Sequence, residues 1–337
     1  MKKFLLTMFM AVTTIVAMAQ TKTYTDNLVV TISGSSTEPQ ETTIFVEQDT
    51  DGTYTLQLNK FALGEGDEGV LVGNIVVDNI SITEVNGIKN FATECNIEIT
   101  AGDDENYWLG PDLGEVPISL TGKMDDNKLY CIIDIDMSEM LGQIITVVFG
   151  DKNNFLVSQT TYTDKLNISI NNEEPTELPE TTIIVEQYKD NTYSLLLNNF
   201  AIGDGEDALL VGNIVLNNII VTEANGIKNI NKIERNIFIT AGDDENYWLG
   251  PDLGKVPVSL TGKMDTENLY CAIDIDMNEL LGQIINVVFG DEKAVTSIEN
   301  IAVENGENVI YDITGRKVKE ITNAGIYIVN GKKVFVK

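Results

Sequence analysis

The feature that most constrains this chain is a duplication: the sixteen residues ITAGDDENYWLGPDLG stand unchanged at 99–114 and again at 239–254. The match extends on both sides at an offset of 138 to 140 residues. TYTDNLVVTIS pairs with TYTDKLNISI, ETTIFVEQ with ETTIIVEQ, VLVGNIVVDNI with LLVGNIVLNNI, and LYCIIDIDMSEMLGQIITVVFG with LYCAIDIDMNELLGQIINVVFG. A period near 139 is far longer than a stacking repeat, so each copy must bury its own core and fold as a domain. The first copy spans 24–150, the second 162–290, with the polar DKNNFLVSQTT between them and a separate segment at 295–337. One step of the offset falls between GSSTEPQ and NNEEPTELP, where a surface turn tolerates a change of length.

Within a copy the apolar residues recur every second position, the period of a strand with one buried face. Leu28, Val30 and Ile32 alternate, as do Tyr54, Leu56 and Leu58, and Leu129, Cys131, Ile133, Ile135 and Met137 alternate against Tyr130, Ile132, Asp134 and Asp136. Gly, Asn, Asp and Pro punctuate the runs. The pattern predicts about eight strands, at 25–33, 41–48, 53–61, 70–77, 79–85, 95–100, 115–123 and 128–137, with a ninth candidate at 143–149. The fold class expected is all-β: two tandem antiparallel up-and-down β-barrels of about 8 strands each, plus a short C-terminal β segment. Closure hides the edges of strands as adhesive as QIITVVFG, which favours a barrel over a sandwich.

The ordered series YTDNLVVTISG, ETTIFVEQ, TYTLQLNKF, VGNIVVDNISIT, VPISLTGKM and LYCIIDIDM to LGQIITVVF resembles the calycin-like β-barrel domain of exported Bacteroidetes proteins, over nearly all of both copies. The resemblance implies a lipocalin-related barrel. The Gly-x-Trp of classical lipocalins is absent from the first strand, the only tryptophans being Trp108 and Trp248. The pieces VIYDITGRKV at 309–318 and GIYIVNGKKVFVK at 325–337 resemble a shortened type A sorting domain of the type IX secretion system. That likeness implies secretion machinery as a partner of the tail. From the residues alone, the last 22 residues of the tail hold six bases and one acid and carry a hairpin signal at Asn330-Gly331, equally able to dock on an acidic body.

Residues 1–19 read as an export signal, with Lys2 and Lys3, an apolar stretch from Phe4 to Val16, and Ala17-Met18-Ala19 before Gln20. The stretch is too short for a membrane span, and no later segment is apolar enough for one. An outer-membrane surface, extracellular or periplasmic location is therefore expected. The formal charge is −30, and the part from 20 to 290 alone carries a net −32. Such a body repels phosphate backbones and anionic lipid heads, so nucleic acid is not an expected partner.

The chain has no histidine, which removes the usual neutral-pH proton shuttle, the Ser-His and Cys-His pairs and the commonest zinc ligand. Neither a cofactor nor a metal is expected. Cys95, Cys131 and Cys271 are read as small buried apolar residues, because a Cys95–Cys131 bridge has no counterpart in the second copy, where Arg235 replaces Cys95. Asp134 and Asp136, with Asp274 and Asp276, followed by Glu139 and Glu279, have the residue types of a glycosidase acid pair. They face away from the core series and are read as a solvated outer face. The acid-and-glycine turns at 64–69, 102–106, 203–207 and 242–246 lack the spacing of a calcium loop and are read as polar turns.

Tyr107-Trp108 and Tyr247-Trp248 remain as the candidate ligand-binding residues, either gripping an apolar or sugar ring or plugging a barrel end. The expected function is that of a non-catalytic exported protein, binding a small apolar or glycan ligand or displayed at the surface. A structural or adhesive protein and a carboxylate-dependent glycosidase are the alternatives.

Overall fold

In the computed structural model the described residues are 20–32, 35–64, 69–138, 142–203, 205, 208–295, 310–321, 323–329 and 332–336. The expected export signal, Glu139, most of the turns at 64–69 and 203–207, and Asn330-Gly331 lie outside them.

The first copy is built from β1 (Gln20–Ile32), β2 (Ser35–Ser36), β3 (Gln40–Gln48), β4 (Tyr54–Leu63), β5 (Val70–Ile80), β6 (Ile82–Val85), β7 (Ile88–Glu98), β8 (Glu115–Met124), β9 (Leu129–Met137) and β10 (Gln143–Phe149). Every pairing is antiparallel and the order is β5-β4-β3-β1-β10-β9-β8-β7-β6, with the small β2 on β1. The two ends of that order, β5 and β6, are consecutive in the chain and separated by Ser81 alone, so the covalent backbone closes the ring. The second copy shows the same closure without the break: β11 (Leu156–Ile170), β12 (Thr176–Tyr188), β13 (Thr192–Ile202), β14 (Leu209–Ala224), β15 (Ile227–Phe238), β16 (Lys255–Met264), β17 (Leu269–Met277) and β18 (Gln283–Phe289) form a closed barrel. There β14 bonds β13 through residues up to Ile220 and β15 from Val221 onward.

Both barrels thus have eight strands, with two adjustments to the sequence reading. The stretches 70–77 and 79–85 are one strand that changes partner midway, and the ninth candidate, 143–149, is the strand that seals the barrel against β1. The strand expected at 95–100 is longer and starts at Ile88, because polar IKNFATEC has no clean alternation yet pairs with β8 along its whole length.

Alternation fills each interior. Leu129, Cys131, Ile133, Ile135 and Met137 of β9 are all buried, and with the inward residues of the other strands they form one contiguous cluster per barrel. Each such Ile, Leu or Val contributes about 1.5–3 kcal/mol by leaving water. The three cysteines are free. Burial pushes the Cys131 and Cys271 thiols up to about 12, whereas Cys95 is only half-buried, which departs from the expectation of three buried residues.

In each barrel the repeated Val-Gly-Asn ties its strand, β5 or β14, to the segment that follows β7 or β15. Gly73 has a φ of +137°, and a Cβ there would sit 2.1 Å from the Thr100 carbonyl oxygen. The close approach lets Asn74 and Thr100 form a bridge, and Asn74 Nδ2 donates to Ala101 O at 2.7 Å. Gly212, Asn213 and Thr240 repeat the arrangement.

The tail forms a four-stranded sheet of β19 (Ile310–Asp312), β20 (Lys317–Val318), β21 (Gly325–Val329) and β22 (Lys332–Val336) in the order β20-β19-β21-β22. Val329 pairs with Lys332, the register of the hairpin expected there.

The barrels pack side by side through different faces. Lys123, on the outer face of β8, is nearly buried and meets Asp190 at 2.6 Å, Thr192 Oγ1 at 2.7 Å and Asn218 Oδ1 at 3.2 Å, all on the second barrel. Its ammonium also lies 4.8 Å from the centre of the Tyr188 ring. Burial works to lower the Lys123 pKa and does so on balance; burial also opposes ionisation of Asp190, but the bonds from Lys123 and Thr192 hold its carboxyl below the usual range. Phe155, Ile88 and Tyr188 make a small apolar junction beside this pair.

Candidate functional site

The two outer faces diverge beyond the Lys123 contact and enclose a cleft of about 760 Å³. Its first wall comes from β7, β8, β9 and β10, with Glu94, Ser119, Thr121, Tyr130, Asp134 and Thr146 facing in. The second wall comes from β12, β14 and β15, with Glu186, Tyr188, Asn217, Arg235, Asn236 and Phe238. This volume lies within the range of small-molecule sites. The lining mixes hydroxyl and amide side chains with apolar ones, Ile132 and Val148 on the first wall and Leu196 and Val215 on the second.

Charges in the cleft are largely matched. Lys152 binds Glu186 at 2.6 Å and Lys255 binds Glu94 at 3.2 Å, each pair joining opposite walls or the connecting segment to a wall. Asp134 is the exception. Its carboxyl is pushed up to about 6, first by desolvation, against the opposing effects of the Thr146 hydroxyl at 2.7 Å and of Lys255. The solvated outer face expected for this residue is therefore corrected in the first copy, where the second barrel covers it. At the matching place Asp274 is exposed and bonds Ser259 and Asn286. Asp136 and Asp276 take the backbone N–H groups of Ser138 and Asn278 and so cap turns; Glu279 is exposed.

The tyrosine–tryptophan turns have a different geometry from a ring-gripping platform. Trp108 is 5% exposed and folds under its own loop against Gly102, its Nε1–H donating to Asp104 Oδ1 at 3.0 Å. Trp248 does the same with Asp244 at 2.9 Å. Neither is among the residues of the contiguous barrel core. Tyr107 and Tyr247 are each 71% exposed, with hydroxyls donating to Asp112 and Asp252. These bonds and the glycine contacts account for much of the unchanged sixteen-residue stretch; nothing in the structure explains the identity of Glu105 and Glu245. Asp103 pairs with Lys60. Among the described residues no group of three or more metal-ligating side chains is placed to hold an ion, and no helix is long and apolar enough to cross a membrane.

The calycin-like beta-barrel domain matches the chain twice, over residues 21–152 and 159–292. The chain belongs to the calycin-like β-barrel family. Each match coincides with one eight-stranded barrel, so this calycin-like protein is a tandem of two family domains. No curated protein matches it. Among solved structures, it is 15% identical to a “putative outer membrane protein” from Bacteroides fragilis NCTC 9343, covering 80% of this chain and 96% of that one with a TM-score of 0.29. It is also 8% identical to a protein of unknown function of the DUF3598 family from Nostoc punctiforme PCC 73102, covering 80% and 94% with a TM-score of 0.23.

In the calycin-like tandem the raised carboxyl of Asp134 has a thermodynamic sign. A folded-state value of about 6 against an unfolded 3.8 means that the native state binds this proton more tightly, so ionising it costs stability above pH 6. The cost fades as pH falls towards 4. Asp134→Asn is expected to stabilise the protein by about 2 kcal/mol at pH 7 and by almost nothing at pH 4, read from urea unfolding at both pH values. Asp274→Asn, at the exposed matching site, is expected to change neither.

Proposed function

We propose that this is a non-catalytic exported binding protein whose ligand site is the cleft between its two barrels. The observation that carries the reading is the cleft itself, a cavity of mixed polar and apolar lining made jointly by two domains whose own interiors are occupied by apolar side chains. Asp134, whose ionisation burial disfavours, lies in this cleft with Thr146 as its hydrogen-bond partner, which makes it a candidate binding group. The fold is of a ligand-binding kind, and the burial of Trp108 and Trp248 supports choosing this shared wall over the Tyr107-Trp108 and Tyr247-Trp248 turns. The export signal and the tail's likeness to a sorting domain support a destination outside the cytoplasm, with secretion machinery as the tail's partner.

The test is a thermal-shift screen of the full chain against fatty acids, sterols and oligosaccharides, repeated with Thr121→Trp, which narrows the cleft, and with Tyr107→Ala/Tyr247→Ala. A ligand at a hundred times its Kd stabilises by about 2.7 kcal/mol, several degrees for a protein of this size. The expected result is a shift lost in Thr121→Trp and kept in the tyrosine variant; the reverse pattern sinks the proposal.

One observation favours glycoside hydrolysis as a second reading. Glu94 and Asp134 lie on β7 and β9 opposite the same residue, Ser119 of β8, which puts their backbones about 10 Å apart from strand spacing alone. A raised acid and a Lys255-held carboxylate are the two roles such chemistry needs. Release of new reducing ends by the full chain, lost in Asp134→Asn, would replace the binding reading with this one.

A further inference from the structure

The duplicated β-sheet supplies an internal control for what the cleft is built to hold. On the second barrel, where the face is open to water, Ser259 Oγ donates to Asp274 at 3.2 Å and Asn286 Nδ2 donates to it at 2.7 Å. On the first barrel, inside the cleft, the same strands leave the matching groups apart. Asp134 has Thr146 as its hydrogen-bond partner and no bond from Ser119, and the side-chain hydroxyls of Ser119, Thr121 and Tyr130 make no hydrogen bond among the described residues. Tyr130 is half-buried and its hydroxyl's ionisation is strongly disfavoured by burial, so it is held as a neutral donor and acceptor. Arg235 gives its guanidinium N–H to the carbonyl of its neighbour Glu234 and to no acid.

Charge decides the class of ligand. Lys152 and Arg235 line the cleft with Glu94, Glu186 and Asp134, and Lys255, outside the lining, pairs with Glu94, so the charges balance within a body of strongly negative charge. A charged ligand would upset this balance in a partly dehydrated space, where an unmatched charge is costly. An array of unpaired hydroxyls beside a tyrosine ring, with no net charge, suits a molecule that is itself a dense array of hydroxyls on a compact carbon frame.

Resting on the cleft reading above, we propose that the ligand is a short neutral oligosaccharide, gripped by Ser119, Thr121, Tyr130 and Asp134 on one wall and by Asn236 on the other. The two barrels serve as jaws, which gives the duplication a purpose: one domain alone presents only half of the site.

Isothermal titration of the full chain with cellotetraose, maltotetraose, mannotetraose, tetragalacturonate and a sulfated heparin tetrasaccharide tests this. At least one of the three neutral sugars is expected to bind, and neither charged one. Tyr130→Phe and Asp134→Asn should each weaken that binding about three- to tenfold, the loss of one hydrogen bond. Thr121→Trp should abolish it, with Ser119→Tyr as a second block and near-UV spectra confirming that both fold. Binding confined to the charged sugars, yet abolished by Thr121→Trp, overturns the ligand class while the cleft reading stands. Sugar binding that survives both blocks overturns the class and the cleft together. Failure of all five overturns the class and leaves the cleft to the lipid arm of the thermal-shift screen.

Discussion

Replacing Lys123 with alanine is expected to let the two barrels separate while each stays folded. The substitution strands Asp190, whose side chain is fully buried, with Thr192 as its remaining partner. Leaving one member of a buried ion pair uncompensated costs about 3–5 kcal/mol. The cheapest relief is not unfolding, because neither group belongs to a barrel core; it is undocking, which returns Asp190 to water. X-ray scattering should therefore show a larger radius of gyration for Lys123→Ala, with an unchanged far-UV spectrum, and the Asp134 carboxyl should fall back towards its ordinary value. Lys263→Ala is the matched control. Lys263 meets Glu292 at 3.6 Å at the surface, so its loss should cost less than about 1 kcal/mol and leave the radius alone. Lys123→Met with Asp190→Asn, which removes both charges and keeps an acceptor for Thr192, should recover much of the compact form. An unchanged radius in Lys123→Ala would mean that the pair does not hold the barrels together.

Gly73→Ala is expected to unfold the first barrel selectively. The new methyl would sit 2.1 Å from the Thr100 carbonyl oxygen, a backbone atom that cannot swing away, on a residue whose φ of +137° disfavours any side chain. Relief requires breaking the Asn74–Thr100 bridge and the bond from Leu109 N to Leu71 O, which tie β5 to the segment after β7. A loss of about 3 kcal/mol or more follows, equivalent to a fall of about 10 °C for a domain of this length. Because the two cores are separate, calorimetry should resolve a lowered first transition and a nearly unshifted second one. Gly212→Ala should produce the mirror result in the second barrel. A single transition shifted equally by either substitution would show that the barrels unfold as one unit.

The barrels were legible because a half-buried strand writes its orientation into every second residue. LYCIIDIDM carries that code plainly, and β9 buries the residues it marks. The glycine and asparagine of VGNIV were visible only as punctuation, since their purpose lies in a carbonyl brought from Thr100, far along the chain. The cleft was illegible for a related reason. Outward positions are polar whether they meet water or a second domain, so Asp134 reads like Asp274 in the alternation and differs only in what covers it. Lys123 and Asp190 are 67 residues apart, on different copies, and no local pattern joins them.

A signal did exist in the differences between the copies. Tyr188 stands where the first copy has Asp49, Lys152 where the second has Glu292, Arg235 where the first has Cys95, and Thr146 where the second has Asn286. All four line or brace the interface or the cleft, or match a residue that would occupy it. A duplicated domain that packs through two unlike faces must specialise each copy, and specialisation appears as divergence on positions that the barrel itself leaves free. The same divergence stops the packing from repeating, because a third barrel would find neither the Tyr188 counterpart nor the Lys152 counterpart that the contact uses.

The most direct measurement of this joint architecture is lysine footprinting of the intact protein by amine acetylation and mass spectrometry. The peptides around TGKM at 121–124 and 261–264 share a sequence but differ just after it, so the two lysines are chemically alike and separately countable. Lys123 should resist labelling while Lys263 reacts, and both should react equally once the barrels are separated by Asp190→Ala. Equal labelling of the two in the native chain would mean that the barrels do not close on each other and that the cleft between them does not exist in solution.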